Sequence, residues 1–270
     1  MFTDQQVEAY RRDGFALGSR VLDDAQIQAL RDELERVIAE KDEPDGPKPV
    51  LLRNLGQEDT PVWQIVDIWM ASEPFRDLLF NETLVQEAAQ LSGARQLRVW
   101  HDQIQYKPHT TGGVNMWHQD SPAWPPVMPK DQQVTAWVAL DDVDEDNGCM
   151  SMVPGSHEWG VAPAELRQIE DYDKLPDTCQ GHKIERSLRP VKAGHVHYHH
   201  PLTWHGSHHN RSGRPRRAIA VHYMTEKTVF TAGERAHPKS PWIHVKAGET
   251  IVGDGFPLVY DGAPLAAPTA

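Results

Sequence analysis

The apolar pattern of this chain changes period at Gln96, and that change restricts the folds open to it. Before it, apolar residues recur at three-four spacing: Ile27, Leu30, Leu34, Val37 and Ile38 share one predicted helix face behind a cap at Asp23 or Asp24. Thr3 can cap a shorter helix that reaches Arg12 and is stopped by Gly14. Another helical stretch runs from 73 to about 91, with Gly93 as its C-cap. The acidic, Pro-rich segment DEPDGPKP at 42–49 breaks this region in two. After Gln96 come short β-like runs at 97–106, 134–140, 195–200 and 217–224, spaced irregularly by Gly, Pro and Asn. Runs of that kind predict an antiparallel sandwich or jelly roll rather than alternating βαβ units. The expected organisation is one domain over 1–270. It has a mostly helical part at 1–95, a jelly-roll core at 96–225 and an extension at 226–270 that ends in a loose tail, GAPLAAPTA.

Length and charge narrow the function classes. A chain of 270 residues can bury a substantial single core. It carries 39 acidic against 27 basic residues, a formal charge of −12, which argues against a general binder of nucleic acid or anionic membrane. Two cysteines, Cys149 and Cys179, are too few for a secreted disulfide framework and read as reduced thiols. The opening MFTDQQVEAYRRDGF has no basic segment followed by an apolar run, and no apolar stretch approaches the ~20 residues of a bilayer span. These features predict a cytoplasmic protein that works on a small molecule, with no nucleic-acid or membrane partner.

Histidine, present 15 times, carries the chemical signal. His118-Gln119-Asp120 is a His-x-carboxylate triplet, of which about one is expected by chance in a chain this rich in both types, so its setting matters more. It lies between PHTTGGVNMW and SPAWPP, at the mouth of a strand. Residues two apart in an extended segment project to one side, so an imidazole and a carboxylate can reach one ion. A third ligand must come from HVHYHHPLTWHGSHHN. There His195, His197 and His199 alternate along a predicted strand and would line a barrel face, whereas His205 opens the following turn. A face of two histidines and one carboxylate leaves positions open on iron(II) for a chelating co-substrate and dioxygen. If that co-substrate is 2-oxoglutarate, its distal carboxylate needs a cation. Arg216, eleven residues after His205, shares a strand face with Ala218 and Ala220, while Arg217 points the other way.

The segments WHQDSPAWPP, TAWVALDDVDEDNGCMSMVPGSH and HGSHHNRSGRPRRAIAVHYM, in that order, resemble the phytanoyl-CoA dioxygenase family of iron(II)/2-oxoglutarate oxygenases over about 97–224. The resemblance implies a mainly β double-stranded β-helix (a jelly roll) with N-terminal helices packed outside. It implies Fe(II), 2-oxoglutarate and O2, and the hydroxylation of a C–H bond with release of succinate and CO2. By the same resemblance His118, Asp120 and His205 are the iron ligands, and Arg216 and Ser207 hold the distal carboxylate. Gln103 and Trp137 border the co-substrate, and Arg53, in a poorly aligned stretch, lies over it. Chlorinating relatives have a small residue where Asp120 stands, so oxidation of a C–H bond is expected instead.

Trp117, Trp124, Pro125 and Pro126 flank the metal motif and suggest a partly apolar substrate. Simple packing would also account for them, as it would for Trp137 and Gln103. No basic cluster suited to the phosphates of coenzyme A is visible. Two other readings stay open at this point: a cupin-type metal enzyme that does not use 2-oxoglutarate, and an inactive relative that binds a small molecule. A histidine-rich metal store fits poorly, because the histidines form no repeated tract.

Overall fold

The computed structural model describes residues 1–55, 58, 61–108, 113–233 and 236–267. Part of PHTTGGVNMW (109–112) and the last three residues of the expected tail lie outside them. Helix α1 (Asp4–Asp13) starts at a capping box between Thr3 and Gln6 and ends at Gly14, whose φ is 84°. A Cβ at Gly14 would lie 2.5 Å from both Thr203 Oγ1 and His157 Nδ1, so close approach and left-handed geometry both call for glycine. Helix α2 (Asp24–Ala39) is capped by Asp23 and buries Ile27, Leu30, Leu34 and Val37. The stretch expected as one helix from 73 is two, α3 (Glu73–Leu79) and α4 (Glu82–Ser92). Asn81 makes the break: its side chain accepts from Leu84 N at 3.0 Å and donates to Val21 O at 2.8 Å.

The strands that frame the site are β1 (Phe15–Arg20), β2 (Leu51–Asn54), β3 (Trp63–Val66), β4 (Gln96–Lys107), β5 (Asn115–His118) and β6 (Gln133–Ala139). They continue with β7 (Met150–Met152), β8 (Ser187–Arg189), β9 (His195–His199), β10 (His205–Ser207), β11 (Arg216–Thr225) and β12 (Leu258–Asp261). A large antiparallel sheet has the order β1–β9–β6–β11–β4–β3–β2, with β12 also paired to β4. A smaller one runs β8–β7–β10–β5. The result is the mainly β, jelly-roll architecture with outer helices that the pattern predicts. Strands β1, β2 and β3 fall in the part expected to be mostly helical. Each is short and has no pattern of its own long enough to read; pairing with β9 and β4 makes them strands.

Alternation along the large sheet separates packing from chemistry. Ile104, Val138, Val196, Tyr198, Ile219 and Val221 face α1–α4 in one apolar cluster. The alternate residues Gln103, Thr135, Trp137, His199, Ala220 and His222 line a cavity of about 210 Å³ closed on its other side by β5, β7 and β10. The tail is docked rather than loose as far as it is described: Leu265 N donates to Val259 O, and Ala267 packs on the main core. No helix among the described residues is long and apolar enough to cross a membrane.

Candidate metal centre

His118 ends β5 and His205 opens β10. The two are direct cross-strand partners, with ring centroids 4.1 Å apart. Asp120 is not in extended backbone as expected. Its φ of −72° and ψ of −61° begin a short helical turn, and its N–H donates to Pro201 O at 2.9 Å. That turn, rather than strand alternation, brings its carboxylate to the histidines. Asp120 Oδ1 lies 3.8 Å from His118 Nε2 and 3.5 Å from His205 Nε2. One ligand atom from each of the three residues lies within 4.8 Å of the others.

Hydrogen bonds select which atoms are free. His118 Nδ1 donates to Met116 O at 2.7 Å and His205 Nδ1 to Thr203 O at 2.9 Å, so each ring presents the Nε2 lone pair toward Asp120. Asp120 Oδ2 accepts from Thr135 Oγ1 at 2.8 Å and from His199 Nε2 at 3.0 Å, leaving Oδ1 for a metal. Thr135 gives its hydrogen to the carboxylate, so His222 Nδ1, 2.8 Å away, is the donor to Thr135. Burial alone would raise the Asp120 carboxyl, but His205 and His199 outweigh it and hold it well below the usual range. Burial opposes protonation of His205, yet Asp120 beside it lifts that imidazole above its ordinary value. Two neutral imidazoles and a carboxylate are a donor set that suits iron(II), and the burial of Asp120 and His205 gives the set a fixed geometry.

Arg216 is wholly buried on the same inner face, as are Ala218 and Ala220. Its Nη atoms make long contacts to Gln105 O (3.3 Å) and Ser207 Oγ (3.4 Å), its Nε has no partner, and no described carboxylate pairs with it. Burial pushes its pKa down to about 10. The guanidinium sits over Trp137 at 5.5 Å, and Trp137 Nε1 is likewise buried without a partner. A charge left without a counter-charge in such a place is costly, and a bound anion would relieve that cost. Arg217 points away and grips Asp141 through Nε at 3.0 Å and Nη2 at 2.9 Å.

Gln103 lines the cavity, and its amide orientation is set from outside. Arg53 Nε donates to Gln64 Oε1 at 2.6 Å, and Gln64 Nε2 donates to Gln103 Oε1 at 3.1 Å. Arginine has no acceptor, so this chain turns the Gln103 amide nitrogen into the cavity as a donor. Arg53 itself is exposed and acts at the head of that chain. Trp124 joins the cavity wall against His222, at 4.7 Å between rings. Trp117 turns inward instead: it stacks on Tyr172 at 5.3 Å and donates to its carbonyl. His199 lines the cavity, as the alternation of 195, 197 and 199 suggested, but Thr135 and His222 carried no signal that singled them out in the sequence, because their placement depends on which strands pair.

The model of the phytanoyl-CoA dioxygenase family matches residues 10–218 of the chain. The chain belongs to the phytanoyl-CoA dioxygenase family. Within it, the peroxisomal phytanoyl-CoA dioxygenase of Mus musculus is 27% identical over 83% of this chain and 68% of its own length. An ectoine dioxygenase of Bordetella parapertussis is 27% identical over 83% of this chain and 76% of that one. Among solved structures, the non-haem alpha ketoglutarate dependent carbocyclase SnoK from nogalamycin biosynthesis superposes with a TM-score of 0.77 at 26% identity, covering 95% of this chain and 96% of that one. Membership gives the class of chemistry, oxidation with iron and 2-oxoglutarate, and the donor set and the buried arginine of this chain fit both groups.

Proposed function

We propose that this protein is an iron(II)/2-oxoglutarate hydroxylase of a small, largely uncharged organic substrate. The observation that carries this reading is the buried guanidinium of Arg216, paired with no described carboxylate, on the same inner face as a His-Asp-His cluster. A cupin-type enzyme that needs only the metal has no use for that charge, and neither has an inactive relative.

In this reading His118 Nε2, Asp120 Oδ1 and His205 Nε2 hold the iron. Arg216 and Ser207 take the distal carboxylate of 2-oxoglutarate, with Trp137 and the Gln103 amide bordering it. When bound, iron and 2-oxoglutarate with dioxygen supply the oxidising power that breaks a C–H bond, and succinate and CO2 leave. Thr135, His199 and His222 keep the Asp120 carboxylate in one orientation. Gln103, His101 and Trp124 form a wall for the substrate. Among the described residues that line the cavity, Asp120 is the only acidic one and none is Lys or Arg, which favours a neutral reacting end of the substrate. A groove of about 580 Å³ meets the cavity at His118 and Ala123; Met116, Trp117, Pro122, Leu166 and Ile169 give it a largely apolar wall, and Arg167 and Glu170 also line it. It offers room for an apolar body outside the reacting end. This supports a substrate with a neutral reacting end and a partly apolar body.

The test is anaerobic loading with iron(II), then oxygen and 2-oxoglutarate with a panel of neutral candidates, reading succinate and a substrate mass gain of one oxygen. Arg216→Ala should raise the apparent KM for 2-oxoglutarate at least about tenfold, which corresponds to only ~1.4 kcal/mol, while iron binding stays intact. Failure of the wild-type protein to form succinate from 2-oxoglutarate under any of these conditions sinks the proposal.

A further inference from the structure

The run Trp117-His118-Gln119-Asp120 faces two ways. His118 and Asp120 turn to the metal cluster, while Trp117 and Gln119 turn to a stretch at 160–172 that contains no strand. Gln119 is buried, and both ends of its amide are used. Its Oε1 accepts from Ala162 N at 2.8 Å, and its Nε2 donates to Gly160 O and to Leu202 O, each at 2.8 Å. Trp117 holds the far end of the stretch by stacking on Tyr172 and donating to its carbonyl at 2.9 Å. Between these two anchors lies the short helix α5 (Pro163–Leu166), and the stretch carries local backbone bonds such as Leu166 N to Ala162 O and Ile169 N to Leu166 O. The largely apolar groove outside the cavity runs between this stretch and the metal motif. Leu166 and Ile169 belong to one wall, and Met116, Trp117 and Ala123 to the other. Ala123 and His118 line the cavity as well, so the groove opens onto the metal ligands.

We infer that residues 160–172 are the element that selects the substrate, and that Gln119 and Trp117 are positioning residues that clamp it to the metal motif. The groove takes the uncharged, apolar body of the substrate and directs its reacting end past Ala123 to the metal ligands. The inference rests on the proposed reading of the cavity as an iron(II)/2-oxoglutarate site, and adds the part of the chain that chooses what is oxidised. Apolar walls bind without direction, so the position of the wall has to be fixed by other means. Here the fixing bonds come from the two residues that flank His118, which ties the distance between wall and metal to a single turn of backbone. A stretch outside the sheets, held by a few side-chain bonds, can also change its wall without disturbing the strands that carry the ligands. In a purely structural role the two clamps would support the whole fold, and loss of either would affect every ligand alike.

The probe is N-phenyl-1-naphthylamine, an uncharged apolar dye whose fluorescence rises when it leaves water. It is titrated into the iron(II)-loaded protein with 2-oxoglutarate under nitrogen, and 2-oxoglutarate binding is measured separately by calorimetry. Leu166→Gln should weaken the dye at least about fivefold and leave 2-oxoglutarate within about twofold. Ala123→Gln, at an exposed position, provides the same comparison if the Leu166 variant does not fold. Gln119→Met keeps the length of the side chain and removes its hydrogen bonds. It should raise amide hydrogen exchange across 160–172 while the sheets stay protected, and weaken the dye at least about threefold with 2-oxoglutarate again within about twofold. Trp117→Phe keeps the stack, loses the bond to Tyr172 O, and should act in the same direction more weakly. A substrate found among the neutral candidates should displace the dye. Dye binding that ignores both Leu166→Gln and Ala123→Gln, or a substrate that binds without displacing the dye, overturns the inference. Equal losses of dye and 2-oxoglutarate in Gln119→Met, with exchange raised throughout the sheets, overturn the clamp. If the wild-type protein takes up the dye but no 2-oxoglutarate, the underlying reading of the cavity falls instead.

Discussion

At Asp120 the two carboxylate oxygens have different partners, and that asymmetry is the most testable feature of the centre. Oδ2 is held by Thr135 and His199, and Oδ1 faces the two histidine nitrogens. Thr135→Val keeps the side-chain shape but removes the hydroxyl that links His222 to Asp120. Groups in this position typically contribute about 10- to 100-fold to metal affinity. A loss of that size is expected in a metal titration of the variant, with Asp120→Ala losing metal-dependent turnover altogether. The lifted pKa of His205 gives a second prediction. Its Nε2 must lose its proton to bind a metal, so loading releases a proton and the apparent metal affinity should fall as pH drops through that raised value. Affinity measured across a pH series would show a flat profile if His205 were not a ligand. Arg217 provides the contrast to Arg216: Arg217→Ala breaks the bidentate pair with Asp141 and should lower stability without changing the KM for 2-oxoglutarate.

Among the elements, caps and strand register decide what the site contains. The break between α3 and α4 depends on Asn81, whose side chain serves both Leu84 N and Val21 O. Asn81→Ala should cost ~1 kcal/mol as a lost cap, and more if Val21 O is left unpaired, as read from urea denaturation. An unchanged midpoint would mean that water takes over both bonds. Register matters most in β11, where a slip of one residue would exchange Arg216 for Arg217 and put Ile219 and Val221 into the cavity. The alternation of small and charged residues with large apolar ones was readable in the sequence, which is why the Arg216 face was legible. The short strands β1, β2 and β3 were not, because runs of four to six residues acquire strand character from their partners.

Across the whole molecule, the region after 225 is part of the fold rather than an appendage. Lys239 is completely buried and pairs with the equally buried Asp67, next to Phe256 at 4.8 Å. Phe256 in turn stacks on Trp100 of β4 at 5.6 Å. Removing one partner of a buried ion pair typically costs about 3–5 kcal/mol. Lys239→Met should therefore lower unfolding stability by that order, and a chain ending at 236 should lose its cooperative transition. A truncated chain that unfolds as sharply as the full one would show that this segment contributes little.

What the sequence determined by itself was everything that depends on period and local spacing. The two capped helices, the change to short strands at Gln96 and the inward face of β11 are legible because each is a pattern along the chain, and the set His118, Asp120, His205 and Arg216 followed from the family resemblance. Tertiary structure decided which histidines face Asp120 Oδ1 and which hold Asp120 Oδ2 from behind. His199 and His222 look like any other strand histidines until β6, β9 and β11 pair and bring Thr135 between His222 and the carboxylate. It also decided that Asp120 reaches the centre through a turn, and that Trp124 lines the cavity while Trp117, stacked on Tyr172, borders the adjoining groove. The buried pairing of Lys107 with Arg216 belongs to the same class. Residues 109 apart in the chain give no sign of that contact in the sequence, because a cross-strand contact is a property of the register that the whole sheet adopts.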